Sequence, residues 1–315
     1  MKVLFTGGSS FTGFWFVKTL AAAGHEVVCP LRGGTDKYEG IRKRRVEQLR
    51  TLCRFFPEAP FGSENFLKLA REEKFDLLCH HAAEATNYKS LDFDVLAALG
   101  SNTFNLRTVL KTLQCPVVLT GTFFENDEGQ DPESEKASGD WGLRAFSAYG
   151  LSKGLTWQCF RHYCHEAGTP LGKFVIPNPF GPFEEPRFTA HLMKNWREGK
   201  VVTVKTPDYL RDNIHADLLA AVYGPFAGRV AAMKSGCVKI NPSGYVEKQG
   251  EFAQRVAREV RSRTGWQCGL ELAKQEDFSE PLGRMNPQPA TSLAPKWSEA
   301  LAWDGFVDFF ASSQA

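Results

Sequence analysis

The sequence predicts an α/β fold in which a doubly wound parallel sheet is joined to a smaller C-terminal α/β region. Three observations support it: short apolar runs alternate with amphipathic segments of helical length, a glycine-rich turn follows the first run, and prolines interrupt the alternation after residue 175. The chain has 315 residues, of which 43% are hydrophobic, enough to bury one large core or two smaller ones.

Five short apolar runs are predicted to be buried strands, because they alternate with amphipathic segments of helical length. They comprise residues 2–6, 26–29, 75–80, 117–120 and 173–176. The predicted helices comprise residues 14–23, 64–73, 102–112 and 151–167. Strands that alternate with helices are joined by crossover connections, so we expect a parallel sheet that is covered on both faces.

A cluster of prolines marks the expected boundary between two domains. Its members are Pro177, Pro179, Pro182 and Pro186. Mixed helices and short strands are predicted from there onward. We therefore assign residues 1–174 to a first domain, which also receives parts of 209–240, and residues 175–315 mainly to a second.

The composition favours a small-molecule partner over nucleic acid or a membrane. The 38 basic and 36 acidic residues leave a net charge of only +2. No apolar stretch approaches the roughly 18 residues of a membrane span, and a strand is predicted directly after Met1, so we expect neither a membrane anchor nor a signal peptide. Eight cysteines without regular spacing are typical of reduced thiols, which predicts a cytoplasmic protein.

The turn after the first strand predicts a Rossmann-type dinucleotide site. It reads Thr6-Gly7-Gly8-Ser9-Ser10-Phe11-Thr12-Gly13 and leads into a helix. Gly7 permits the tight turn, Gly13 permits close packing of helix on strand, and the helix N-terminus at Phe11 offers backbone N–H groups to a pyrophosphate. Ser10 replaces the middle glycine of the usual pattern, and its hydroxyl is a candidate phosphate donor.

The end of the second strand favours NADP over NAD. An acidic residue there would bind the ribose hydroxyls of NAD, whereas the strand ends at Leu31-Arg32 without an acid. Arginine pairs with the additional phosphate of NADP, so Arg32 is the candidate, with an ordinary surface arginine as the alternative. NADP is the expected cofactor, and NAD remains open.

Tyr149 and Lys153 are the predicted catalytic pair. Their four-residue spacing places both side chains on one face of a helix. A free tyrosine has a pKa of about 10, so proton transfer at neutral pH requires a nearby cation, which Lys153 supplies. A threonine at the end of the fourth predicted strand would bond the reacting oxygen, and we favour Thr122 over Thr120.

The order of these motifs resembles that of the extended short-chain dehydrogenases/reductases that act on nucleotide sugars. The shared motifs are the glycine-rich turn, His80-His81-Ala82-Ala83, Asn102 opening the next helix, the Tyr149/Lys153 pair, Asn178-Pro179-Phe180-Gly181-Pro182 and Arg211-Asp212-Asn213-Ile214-His215-Ala216-Asp217. The resemblance implies that the first domain binds the dinucleotide, with Ala82 and Ala83 beside it and Lys153 holding its ribose. It also implies that the second domain binds the substrate.

The resemblance further implies which residues bind the substrate. Asn178, Arg211 and Arg284 fall where the family contacts the pyrophosphate and sugar of a nucleotide sugar, and Arg187 is a further candidate. The alternative for each arginine is an ordinary surface position. Family members are often homodimers, here through residues 102–112 and 151–167. A homodimer is therefore expected.

The reaction is narrowed by the two residues that follow Thr122. The family's dehydratases carry an Asp-Glu pair there, and this chain has Phe123-Phe124, which disfavours dehydration. We expect a 4-keto sugar reductase with Tyr149 as proton donor; the alternatives are an NAD-dependent nucleotide-sugar 4-epimerase and, in another class, a non-catalytic dinucleotide-binding sensor. No metal is expected, because the following residues do not share one helical face: Cys159, His162, Cys164 and His165.

Overall fold

The computed structural model describes residues 1–125, 145 and 147–312, which divide into two units. The first unit comprises residues 1–125, 145, 147–176 and 220–241, and the second comprises residues 177–219 and 242–312. No helix in these residues is both long and apolar enough to cross a membrane.

A parallel sheet of seven strands forms the centre of the first unit. Its strands, numbered along the whole chain, are β1 (Lys2–Thr6), β2 (Glu26–Pro30), β3 (Arg54–Phe56), β4 (Leu77–His80), β5 (Val117–Thr122), β6 (Leu171–Ile176) and β10 (Cys237–Ile240). Their order is β10-β6-β5-β4-β1-β2-β3, so β2 and β3 follow on one side of β1 and the later strands on the other, and the strand order reverses between β1 and β4. This is the predicted doubly wound sheet, and a ligand crevice is expected at the carboxyl ends of β1 and β4.

All five predicted strands are present, and the two missed strands lie at the edges of the sheet. The β3 strand has three residues, none of them buried, and β10 alternates exposed with half-buried positions. Neither therefore forms the continuous apolar run that identifies a strand covered on both faces.

The helices of the first unit connect its strands, and several of them begin at side-chain caps. They are α1 (Phe11–Ala22), α2 (Gly40–Leu49), α3 (Glu64–Glu72), α4 (Val95–Asn102), α5 (Leu106–Leu113) and α6 (Ala148–Glu166). The side chains of Ser10, Asp94 and Ser147 accept backbone N–H bonds at the starts of α1, α4 and α6. Such caps satisfy N–H groups that have no partner within the helix.

The prediction of one helix over residues 102–112, opened by Asn102, is wrong. Asn102 is the last residue of α4, and α5 begins only at Leu106. Between them Asn105 adopts a left-handed backbone with φ 52°, which asparagine tolerates, and its side chain donates to Gly62 O over 2.9 Å. Asn102 instead binds two segments, because its side chain accepts from Glu84 N and donates to Thr156.

The core of the first unit lies between the sheet and helices α3, α5 and α6. Phe160 of α6 is fully buried there, and Trp157 and Tyr163 of the same helix pack against this core. These aromatic side chains thus contribute to the core of a single chain.

The second unit contains short strands and a separate core. Its strands are β7 (Asn178–Phe180), β8 (Val202–Val204), β9 (Leu210–His215), β11 (Pro242–Ser243), β12 (Tyr245–Lys248), β13 (Leu270–Leu272), β14 (Gly283–Arg284) and β15 (Gln288–Pro289). Its helices are α7 (Phe188–Arg197), α9 (Gln249–Thr264), α10 (Ala290–Leu293) and α11 (Glu299–Ala311), while α8 (Ala216–Ala231) runs from this unit into the first. The central strand β9 pairs with β7, β12 and β14.

Candidate active site

The glycine-rich turn after β1 packs against the loop after β4, where the strand order of the sheet reverses. Gly7 has φ +79°, and a Cβ atom there would lie 2.8 Å from Ala82 N. A Cβ atom at Gly13 would lie 2.2 Å from Gly7 O. Both glycines are therefore required by close backbone approach, as in the turn of a dinucleotide-binding fold at the start of its first helix. The residues present fit a dinucleotide cofactor.

Ser10 holds this turn together from within. Its hydroxyl donates to Gly7 O over 2.8 Å and accepts from Gly13 N over 3.2 Å, so it also caps α1. A hydroxyl has a single proton, and here that proton is used inside the turn. Donation from Ser10 to a phosphate stays a prediction, and it would require the hydroxyl to turn away from Gly7 O.

His81 connects the turn to the end of β5, a role that sequence reasoning missed. Its Nε2 lies 3.0 Å from Ser10 Oγ, and its Nδ1 lies 3.0 Å from Thr120 Oγ1. His81 Nε2 also lies 3.1 Å from Thr12 Oγ1, so the one imidazole ring contacts three hydroxyl groups. Loss of hydration, and then the charge of Lys153, lower the pKa of His81 to about 3, so the ring is neutral. The sequence feature that could have indicated this role is the His80-His81 pair directly after an apolar run.

Arg32 lies just after β2, as predicted, and has an acidic neighbour. Its side chain is 64% exposed and forms an ion pair with Glu84 over 3.1 Å. The second oxygen of Glu84 accepts from Thr86 N over 2.8 Å, which fixes the carboxylate. Glu84 lies in the loop after β4 and directly follows Ala82 and Ala83, both of them half-buried.

The predicted catalytic pair lies in the first turns of α6, which pack directly on the chain after β5. A Cβ atom at Gly150 would lie 1.8 Å from Phe124 O, so only glycine permits this approach. Tyr149 is half-buried among the rings of Tyr88, Phe93 and Phe124, at centroid distances of 5.4, 5.9 and 6.2 Å. This aromatic surrounding restricts the orientation of the Tyr149 ring.

Lys153 is buried one turn later and is held by β5. Its Nζ donates to Thr120 O over 2.7 Å, and only 4% of the residue is exposed. Burial lowers the pKa of Lys153 to about 8, with Glu125 opposing the shift and Lys173 adding to it. The two catalytic candidates thus stand on one helical face, with the lysine positioned by the end of β5.

Thr120 and Thr122 differ in what their hydroxyls already contact. The Thr120 hydroxyl is bonded to His81, whereas Thr122 Oγ1 is a 3.4 Å acceptor for Phe124 N. Thr122 is also two residues nearer the carboxyl end of β5, where the crevice is expected. Thr122 therefore remains the candidate for contact with the reacting oxygen.

A buried ion pair supports the end of β5 and was not anticipated. Glu125 is bonded to Lys173 of β6, and their side chains are only 2% and 6% exposed. The other oxygen of Glu125 accepts from Thr122 N over 2.8 Å. This pair fixes the backbone of Thr122, and its negative charge acts on Lys153.

In the second unit the structure brings together two of the four predicted substrate residues. Arg211 of β9 and Arg284 of β14 lie on paired strands, and both donate to the carboxylate of Glu280. Asn178 instead donates to Asn213 Oδ1 over 2.6 Å, and Arg187 is exposed just before α7. Two arginines that share one carboxylate make Arg211 and Arg284 a candidate anion-binding position.

Comparison with known proteins gives a family and several structural neighbours. The model of the NAD dependent epimerase/dehydratase family matches residues 3–234. A sequence search against curated proteins found no match. Similar solved structures include UDP-glucose 4-epimerase of Thermotoga maritima, with 17% identity, TM-score 0.74 and 100% of both chains covered.

Two further neighbours have the same fold. UDP-glucose 4-epimerase of Thermus thermophilus is 21% identical, with TM-score 0.72 and coverage of 99% of this chain and 100% of that one. UDP-glucuronic acid 4-epimerase of Bacillus cereus is 17% identical, with TM-score 0.72 and coverage of 98% and 99%. At these identities the likeness establishes the fold, which is the α/β fold that the sequence predicts.

Proposed function

The chain belongs to the NAD-dependent epimerase/dehydratase family, and from that premise we propose that it epimerises carbon 4 of a nucleoside diphosphate sugar. This reverses the order of the two reactions that the sequence left open, in which a 4-keto sugar reductase came first. What supports the proposal is that Lys153 donates to Thr120 O of β5, and that Gly150, next to Tyr149, packs on Phe124 O two residues after Thr122.

Tyr149 takes the proton of the sugar 4-hydroxyl and later returns it. The ammonium of Lys153 favours the phenolate form that accepts this proton, and the Thr122 hydroxyl orients the reacting oxygen. A nicotinamide dinucleotide, when bound, supplies the acceptor and then the donor of the hydride at carbon 4. Inversion requires the hydride to return to the opposite face of the 4-keto sugar.

Cofactor binding is assigned to the first domain, residues 1–174 with parts of 209–240. Gly7, Ser10, Phe11 and Gly13 would hold the pyrophosphate, Ala82 and Ala83 would lie beside the dinucleotide, and Lys153 would bond the ribose. Substrate binding is assigned mainly to residues 175–315, where Arg211 and Arg284 would hold the diphosphate. Asn178 and Arg187 remain candidates for sugar contacts.

Three considerations favour epimerisation over the alternatives. The structural neighbours named above are 4-epimerases, and the Bacillus cereus enzyme was crystallised with UDP-glucuronic acid and NAD. Phe123-Phe124 replaces the acidic pair of the dehydratases. Both Tyr149 and Lys153 are retained, which a non-catalytic sensor does not require.

The proposal is tested by nuclear magnetic resonance on UDP-hexoses incubated with the protein and catalytic amounts of NAD. The expected result is interconversion of one 4-epimer pair, such as UDP-glucose and UDP-galactose. Tyr149→Phe should lower the rate by roughly 10²–10⁴-fold, because the proton acceptor is lost. Tyr163→Phe, on the same helix but packed against the core, is the matched control and should retain activity. Binding of NAD without turnover of any sugar nucleotide would favour the sensor.

The second candidate is an NADP-dependent 4-keto sugar reductase, which the exposed guanidinium of Arg32 favours. We propose NAD as the cofactor, because the Glu84 carboxylate already pairs with Arg32 and would repel the additional phosphate of NADP. Titration with NAD and NADP distinguishes the two candidates. The proposal predicts tighter binding of NAD, with an affinity that is unchanged in Arg32→Ala. A strong NADP preference that is lost in Arg32→Ala, and kept in the exposed-arginine control Arg71→Ala, would establish the reductase candidate.

A homodimer and a cytoplasmic location are part of the same proposal. The dimer would form through residues 102–112 and 151–167, as the family resemblance implies. Sedimentation of the purified chain tests the dimer, and a monomer at micromolar concentration would contradict it.

A further inference from the structure

Arg211 and Arg284 of the second unit donate to the same oxygen of one glutamate, Glu280. Arg211 Nη2 lies 3.0 Å from Glu280 Oε2, and Arg284 Nη2 bonds that oxygen as well. The arginines are 8% and 5% exposed, whereas the Glu280 side chain is 42% exposed. Two buried cations therefore meet one partly exposed anion.

The Glu280 carboxylate resembles a phosphate group in what it offers these cations. Both guanidinium groups are charged, because arginine stays protonated at all relevant pH values, and both bond a single carboxylate oxygen. A diphosphate diester carries two negative charges and several acceptor oxygens. It could therefore give each guanidinium an oxygen of its own, in the geometry that arginine favours for phosphates.

Arg211 is held in place by atoms other than the carboxylate. Its Nη1 donates to Leu210 O over 2.8 Å, to Pro281 O over 3.2 Å and to Leu282 O over 3.3 Å. Its guanidinium also lies over the Tyr209 ring, 4.2 Å from the centroid. Withdrawal of the Glu280 side chain would therefore leave the Arg211 guanidinium fixed while its Nη2 bonds an incoming anion.

The backbone of the segment is also held independently of the carboxylate. Glu280 N donates to the Tyr209 hydroxyl over 3.1 Å, and the Phe278 ring packs edge-on against Tyr209 at 5.6 Å. Rotation of the Glu280 side chain into solvent needs none of these contacts to break.

We propose that Glu280 is an internal counter-anion that occupies the diphosphate position of the substrate and sets its affinity. A ligand diphosphate binds Arg211 and Arg284 by displacing the Glu280 carboxylate into solvent. The identity of the ligand rests on the proposed function. The competition between the Glu280 carboxylate and a diphosphate for the two arginines rests on the contacts of Glu280 alone.

The test is calorimetric titration of the full chain, saturated with NAD, with inorganic pyrophosphate as the probe. Glu280→Gln removes the competing negative charge and should tighten pyrophosphate binding roughly tenfold, which corresponds to about 1.4 kcal/mol. Glu276→Gln is the matched control: Glu276 lies on the same segment and pairs with exposed Lys274 over 2.8 Å. It should leave the affinity unchanged.

A second variant separates contact from charge. Glu280→Asp keeps the negative charge but shortens the side chain by one methylene. It should also tighten pyrophosphate binding, because the shorter carboxylate no longer reaches both arginines. Unchanged or weaker binding in Glu280→Gln, or equal tightening in Glu276→Gln, would overturn the proposal. The titration involves no turnover, so a protein that shows the competition but epimerises no sugar would contradict the proposed function alone.

Discussion

At the scale of single residues, the candidate site depends on glycines that lack a side chain as much as on the side chains that form hydrogen bonds. Gly7, Gly13 and Gly150 each allow a backbone approach that a Cβ atom would prevent. Gly7 and Gly13 form the glycine-rich turn, and Gly150 brings α6 onto the chain after β5. Ser10 and His81 then fix the turn by hydrogen bonds.

Gly13→Ala should impair cofactor binding although alanine favours a helix. The new Cβ atom would lie 2.2 Å from Gly7 O, and backbone atoms cannot move as a flexible side chain can. We expect a stability loss of about 1–3 kcal/mol and at least a tenfold weaker NAD affinity, by denaturation and calorimetry. In the control Gly100→Ala, within α4, the new Cβ meets no atom of another segment within 4 Å. That variant should gain up to about 1 kcal/mol, and equal behaviour of the two would refute the argument.

The pKa of Lys153 predicts the alkaline side of the pH–rate profile. Its pKa is lowered from 10.5 to about 8 by burial, so the ammonium is present below about pH 8 and is lost above it. Because the charged form favours the Tyr149 phenolate, kcat should fall as pH rises through about 8. A rate profile that stays flat to about pH 10, where a free tyrosine titrates, would contradict this role of Lys153.

At the scale of elements, strand ends and helix starts converge on the carboxyl edge of the sheet. The end of β5 carries Thr122, the first turns of α6 carry Tyr149 and Lys153, and β6 supplies Lys173. The Glu125–Lys173 ion pair joins β6 to the chain that follows β5 at this edge.

Glu125→Gln should destabilise the protein strongly and also shift its pH profile. Removing one partner of a buried pair leaves the charge of Lys173 uncompensated, which costs about 3–5 kcal/mol in urea denaturation. Glu125 opposes the lowered pKa of Lys153, so its loss should also move the alkaline fall in kcat to lower pH. The control is Glu72→Gln, which breaks the exposed pair with Lys68 and should cost about 0.5 kcal/mol or less. Equal losses in the two variants would contradict the importance of burial.

The elements that the sequence predicts are those with a local signal. Buried parallel strands such as β1 and β5 are continuous apolar runs, and the Tyr149/Lys153 spacing reports a helical face directly. The break between α4 and α5 depends on a left-handed Asn105 and on its contact with Gly62, which no local pattern specifies. The partners of Arg32 and Arg284 lie on loops, so Glu84 and Glu280 could be identified only from the fold.

At the scale of the whole molecule, each of the two units carries one part of the proposed chemistry. The first unit holds the dinucleotide turn with Tyr149 and Lys153, and the second holds the paired arginines on β9 and β14. The central claim of the proposed function is that the chain inverts carbon 4 by removing a hydride and returning it.

The most direct test of that claim follows deuterium placed at carbon 4 of the UDP-hexose that the protein interconverts. The account predicts that the product epimer retains the deuterium at carbon 4, with no net consumption of NAD or NADH, because the same hydride returns. Loss of the deuterium to water would contradict hydride transfer, and product formed in step with oxidation of NADPH would identify a reductase instead.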